Sequence, residues 1–183
     1  MRKSIFIILL SGISTLSFSQ NDATSLKKSI TSAYINILAP GVSYERHLHG
    51  LFTLRSALEF YYNFGQNFFD GGTYFILTPA LISEPRYYYN FRRRVEKGKK
   101  TSYNASGYFA LTASYATDLV IQSNSAYTRG GNPEFLLIPK LGFKRTVGRK
   151  FFFEVAAGIG INVRKKKTSE VSGLDVRFGY NIK

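Results

Sequence analysis

The sequence predicts an all-β chain, an eight-stranded antiparallel up-and-down transmembrane β-barrel, on three observations. Apolar residues recur at every second position in eight separate runs, a spacing that lines one face of a strand but scatters around a helix. The clusters between the runs alternate, with one exception, between tight turns and longer polar segments, as barrel connections do. The polar face of the runs is neutral: Glu45, Glu59, Glu84, Glu154 and Asp175 stand against Arg55, Arg86, Lys140, Lys144 and Arg177. A water-facing surface has no need to balance its charges. A closed interior does, because an unpaired buried ion costs several kcal/mol.

The chain opens with MRKSIFIILLSGISTLSFSQ, which has the three parts of a secretory signal: Arg2 and Lys3, the apolar Ile5 to Leu10, and small residues around Ser17-Phe18-Ser19. Ser11, Gly12 and Ser14 break it up too early for a membrane helix. Cleavage is expected near Ser19/Gln20, so residues 1–19 read as signal peptide and 20–183 as one barrel domain. With no Cys at the cut, a lipid anchor is not expected.

The first run sets Ala33, Ile35 and Ile37 against Tyr34 and Asn36; after a break at Ala39-Pro40-Gly41, Val42 and Tyr44 oppose Ser43 and Glu45. HLHG (47–50) reads as a tight turn into the third run, Phe52 to Tyr62. NFGQNFFDGG (63–72) is a long loop, and the fourth run follows from Thr73 to Arg86. Its Pro79 and Pro85 predict bulges or locally open pairing, since proline donates nothing to a ladder. FRRRVEKGKKTS (91–102) is the exception to the alternation: long, yet on the side of the tight turns, and read as a short helical turn or an extended hairpin. Tyr108 to Tyr115 form the fifth run, ATDLVIQSNSAYTRGGNP (116–133) the next long loop, and Phe135 to Lys144 the sixth run. TVGR (146–149) turns into the seventh, FFFEVAAGIGINV (151–163). RKKKTSEVSG (164–173) reads as a third long loop before the last run, Leu174 to Ile182. The acid in the seventh run, Glu154, is expected to point inward toward Lys140 or Lys144 on the preceding strand. Tyr62, Tyr87, Tyr89, Phe91, Tyr115 and Tyr180 are placed on the outer face, as aromatic belts at the headgroup level.

The mature domain of about 160 residues is ample for one closed architecture. Cysteine is absent, so packing and hydrogen bonds must hold an exported fold without disulfides. The chain carries +14, and +12 once Arg2 and Lys3 are lost. In a cytosolic protein that charge would point to nucleic acid; export removes that partner.

The stretches VSYERHL (42–48), EPRYYYNFRRRVEKGKK (84–100), SGYFALTASY (106–115) and LDVRFGYNIK (174–183) resemble the small outer-membrane β-barrel proteins of the OmpA/OmpX type found in Bacteroidota. The resemblance implies an outer-membrane location and insertion by the barrel-assembly machinery. That machinery reads a C-terminal strand of alternating aromatic and apolar residues, a pattern Phe178, Tyr180 and Ile182 fit.

No enzymatic chemistry is expected. His47 and His49 flank Leu48 in a metal-binding spacing but lack a third ligand and read as a solvated turn. No G-x-S-x-G occurs, and Gly158-Ile159-Gly160 lacks the third glycine of a nucleotide fingerprint. No cofactor is implied. With eight strands the interior is just wide enough to be filled by its side chains, so the ten charged residues above are expected to form a structural lumen network rather than a pore. Two basic clusters are candidate contacts for lipid phosphates: Arg92, Arg93 and Arg94 at one end, and Arg164, Lys165, Lys166 and Lys167 at the other, the latter facing lipopolysaccharide. The expected role is structural or adhesive, displayed through loops 64–72 and 118–133. The competing reading is a soluble periplasmic lipocalin-like barrel with its apolar face inward around a small hydrophobic ligand.

Overall fold

The computed structural model describes residues 25–37, 39–66, 73–117, 119, 122–123, 133–164 and 167–183. The expected signal peptide, Lys165 and Lys166 lie outside these residues, as do most of the two long loops. Nine strands follow in order: β1 Ser29–Asn36, β2 Ala39–His49, β3 Phe52–Gln66, β4 Thr73–Tyr87, β5 Gly107–Ala116, β6 Gln122–Ser123, β7 Glu134–Val147, β8 Phe151–Arg164 and β9 Lys167–Asn181. A helix, α1 (Phe91–Glu96), and a single 3-10 turn (Ser102–Asn104) lie between β4 and β5.

Each long strand pairs antiparallel with the next, and β9 returns to β1 through pairs such as Ala33↔Tyr180, closing a ring of eight. The two-residue β6 only extends the line of β5 along β4, at Leu77↔Gln122. Closure leaves the ring no free edge where it is complete.

The register also sets the bore. Stepping across the ladders from Ser32 passes Ser43, Ala57, Ile82, Ser114, Leu136 and Asn162 and arrives at Ser169, whereas Ser32 itself pairs with Asn181. The ring therefore closes with a stagger of 12 residues, from 169 to 181. At about 3.3 Å per residue and about 4.8 Å between strands, that stagger tilts the strands by about 45° and gives a backbone radius of roughly 9 Å. Such a bore has room for arginine and tyrosine side chains.

Among the aromatic side chains that enter it, Tyr34, Tyr108 and Phe152 each stand directly opposite a glycine on the next strand: Tyr34↔Gly41, Tyr108↔Gly142 and Phe152↔Gly179. A Cβ on any of these glycines would sit 2.6–2.8 Å from the facing ring, so the rings lie flat across the space a side chain would need. Small residues on the inner face are therefore the counterparts of large ones.

The prolines sit where the ladders open. The β4–β5 pairing lapses at Glu84–Pro85 and resumes at Arg86↔Ala110, and it ends at Ala80, where the Thr117 N–H and hydroxyl both donate to the Pro79 carbonyl. The β7–β8 ladder lapses at Ile138–Pro139. There β8 leans onto β7: a Cβ on Gly158 would lie 1.9 Å from the Pro139 oxygen, and one on Gly160 would lie 2.1 Å from the Leu137 oxygen. These glycines serve a close approach of two backbones. Gly158→Val is expected to force the strands apart and cost about 1–3 kcal/mol, with Gly173→Val milder because its nearest neighbours are flexible side-chain ends. Urea unfolding of both variants checks the order.

Two expectations about connections change, and a third resolves to one of its two alternatives. The first run does not break at Ala39-Pro40-Gly41: Asn36 already pairs with Ala39, and these three residues lie inside β2. RKKKTSEVSG is no long loop: β8 runs to Arg164 and β9 starts at Lys167, paired to each other. Its polar residues simply carry the hairpin past the apolar band. FRRRVEKGKKTS forms α1 and the 3-10 turn rather than an extended hairpin. The short β1–β2 hairpin makes the wall lower there; among the described residues, 60–66 of β3 and 167–175 of β9 have a strand neighbour on one side only.

Candidate functional site

Alternation divides the side chains cleanly. Ile35, Val42, Leu81, Phe109, Leu111, Leu141, Ile159, Leu174 and Phe178 point outward and are exposed, Ile159 by 72%. All ten charged residues picked out from the sequence point inward, and each is at least 93% buried. Among the described residues the buried charges are five positive and five negative, and they balance.

Arg86 of β4 is the hub of the lumen. Its two Nη groups donate to the two oxygens of Glu154 at 3.0 and 2.9 Å, and its Nε donates to Glu84 at 2.6 Å. Arg177 of β9 reaches Glu154 at 2.5 Å and Asp175 at 3.0 Å, and Lys140 holds the same Asp175 oxygen at 2.6 Å. Thr112 donates to Glu84 at 2.9 Å, and Tyr34 to Glu59 at 2.8 Å. Asn36 bridges Asp175 and Glu59 at 3.1 and 3.4 Å. Arg55 is held more loosely, 3.8 Å from Glu59 and 4.0 Å from Glu84, with its guanidinium over the Tyr34 ring. It borders a polar cavity of about 10 Å³, the size of one water molecule.

The expected partner of Glu154 is corrected by this geometry. Lys144 faces Glu154 in the ladder, yet among the described residues it pairs with no carboxylate and its ammonium stands 4.6 Å over the Phe152 ring. Glu154 instead takes two guanidiniums from β4 and β9. A planar fork matches a carboxylate with two parallel bonds, which an ammonium cannot do.

The end of the barrel that holds the C-terminus is closed by a device the sequence reading missed. Leu26, Tyr88, Phe91, Tyr108, Ala110 and Ala156 form an apolar cluster across the mouth, with Leu51 and Val95 against it. Phe91, expected on the outer belt, is 2% exposed and belongs to this cap. Asn104 ties the cap to the lumen: its Nδ2 donates to Glu45 and its Oδ1 accepts from the Lys27 backbone N–H, both at 2.8 Å. Tyr88 donates to the same Glu45 oxygen at 2.8 Å. Tyr103 and Asn104 adopt left-handed backbone (φ 54 and 61), which turns Asn104 inward, and Lys27 covers the Tyr103 ring at 4.0 Å. The run YYYN offered a faint signal, because Tyr88 keeps the inward parity of Arg86 beyond the strand end.

Around the outside of the same end runs a ring of aromatics. Phe52 meets Tyr87 at 4.8 Å, Tyr89 meets Phe109 at 5.0 Å, Phe153 meets Phe178 at 4.8 Å and Phe151 meets Tyr180 at 5.2 Å. On β3, Phe52 and Tyr62 stand ten residues apart, a rise of roughly 23 Å at the tilt above.

Outside the cap, Tyr89, Asn90, Arg93, Arg94, Lys97, Lys99 and Arg145 line a cleft of about 460 Å³. Arg93 and Arg94 thus meet Arg145 from β7, which no sequence pattern groups with them, while exposed Arg92 lies outside the lining. The side chains of Arg164 and Lys167 fall outside the described residues. At the β2–β3 turn, His47 donates to the Gly50 carbonyl at 3.0 Å, and no group of three or more metal-binding side chains occurs among the described residues. No protein-family model, curated protein or solved structure matches the chain.

Proposed function

We propose that this chain is an exported, integral outer-membrane β-barrel, a non-catalytic wall element with a structural or adhesive role exercised through the connections 67–72 and 118–133, the first of them shorter than expected because β3 runs on to Gln66. One observation carries the reading: the apolar stripe of every long strand faces outward while a neutral ionic network fills the inside. In water that arrangement is inverted, since it exposes the oily face and buries ten charges. In a bilayer it is the low-energy one, with the backbone bonds closed on themselves. The height between Phe52 and Tyr62 is close to the apolar band of about 25 Å that such barrels present. Among the described residues no helix is long and apolar enough to cross a membrane. Its partners in this reading are membrane lipid and lipopolysaccharide, with the barrel-assembly machinery during insertion. The soluble lipocalin-like alternative requires an apolar interior with room for a ligand; the space amid the lumen network is about 10 Å³ and polar.

The protein is expected to remain with membranes after a high-salt wash and to migrate differently before and after boiling. Planar-bilayer recording on the same sample should give no single-channel current, because the network and the cap fill the bore. Release with the soluble periplasm would end the proposal, and steady conductance would end the sealed lumen.

A further inference from the structure

The cleft beside α1 faces the same level of the barrel as the aromatic ring, and nothing in the lumen explains it. Five cations, Arg93, Arg94, Lys97, Lys99 and Arg145, line it, and no carboxylate does. Two of them are fixed by the fold. Arg94 donates to the carbonyls of Ala105 and Lys100, both at 3.0 Å, and Arg145 donates to the Lys144 carbonyl at 2.8 Å. Burial and the neighbouring Arg145 charge lower the Arg94 pKa from its ordinary value, so the two guanidiniums are held together against their repulsion. The other three, Arg93, Lys97 and Lys99, are exposed.

Both walls of the cleft run into the apolar outer face. Tyr89 lies against Phe109 at 5.0 Å, and the Arg145 guanidinium stands 5.3 Å over the Phe143 ring. Leu141, the ladder partner of Phe109, continues that face along β7. A ligand here meets concentrated positive charge at one end and an oily wall at the other.

We propose that this cleft binds the headgroup phosphate of one anionic phospholipid, whose acyl chains lie along Phe109, Leu141 and Phe143. The inference rests on the membrane reading above and adds a specific lipid site to it. A phosphate oxyanion is also offered by free inorganic phosphate, but a free ion has no use for the apolar wall. The uncompensated positive charge selects an anionic headgroup over a zwitterionic one.

The test is native mass spectrometry of the full-length barrel released from micelles doped with phosphatidylglycerol or with phosphatidylcholine. One phosphatidylglycerol should stay bound. The R93Q/K97Q/K99Q variant should weaken it roughly 100-fold, at about a fivefold loss per removed charge. These three side chains hold nothing in the fold, so the variant should still assemble. The control K28Q/R149Q/K183Q removes three exposed charges from the same end, and it should change retention by less than about threefold if the cleft is specific. Equal loss in both variants, equal retention of the two lipids, or displacement of the lipid by equimolar inorganic phosphate would each overturn the site. Heat-modifiable migration and membrane sedimentation are read on the same preparations. If both persist while lipid selectivity is absent, the site alone fails; if both are lost in the unmodified protein, the membrane reading beneath it fails.

Discussion

Glu154→Ala is expected to destabilise the barrel by about 3–5 kcal/mol, because it leaves two buried guanidiniums facing each other without their shared acceptor. Glu154 is 2% exposed and takes three hydrogen bonds, two from Arg86 and one from Arg177. Without it the lumen carries a net positive charge where the cavity beside Glu154 holds about one water, so there is little solvent at that point to screen the imbalance. Arg86 keeps Glu84 and Arg177 keeps Asp175, which limits the damage to the pair's common centre. Glu154→Gln tests charge against shape: its amide nitrogen is a donor and would meet donors, so it should cost nearly as much as alanine. Pairing Glu154→Ala with Arg177→Met should be less costly than the sum of the two changes, since the second removes the stranded cation. Urea unfolding of the barrel in vesicles, followed by the fraction that resists boiling-dependent migration, measures all four. A loss below about 1 kcal/mol for Glu154→Ala would mean that water reaches the arginines and that the lumen is not the stiff plug described.

The sequence made the strands legible because alternation is a local signal. Eight runs became eight long strands, and the parity of each charged residue fixed the face on which it lies. What parity cannot reveal is which side chains meet across a bore. Glu154 and Arg86 are 68 residues apart and on strands that do not pair, so their contact depends on the stagger of the whole ring. Lys144 was the natural partner on ladder proximity, and it lost to a longer, forked side chain from the far wall. The cap was hidden for a related reason. Phe91 follows Tyr87 and Tyr89 in sequence parity, and only the bend of the chain at Tyr88–Asn90 turns it under the mouth instead of along the wall. The hairpin at 164–167 was read as a loop because Thr168, Glu170 and Ser172 are polar on the outward side, and outward polarity resembles a loop wherever a strand outruns the apolar band.

Outward polarity and outward grease also supply the test of where the barrel sits. Leu81 lies on the outer face of β4, midway between Tyr87 and Phe75 in the strand, with Leu58 and Tyr115 as its ladder neighbours. It is 58% exposed. Were that exposure to water, Leu81→Arg would change stability by no more than about 0.5 kcal/mol, the usual result for a surface position. Facing acyl chains near mid-height, the same substitution should cost about 2–4 kcal/mol. Leu48 is 55% exposed at the rim of β2, where a bilayer gives way to headgroups, and Leu48→Arg should cost only about 0–1 kcal/mol. Two leucines of almost equal exposure would then differ several-fold in their intolerance of charge, and only a medium with depth can distinguish them. Water has none. Equal small losses at both positions, measured by urea unfolding in phosphatidylcholine vesicles, would leave the outward leucines without a lipid to face and return the barrel to an aqueous compartment.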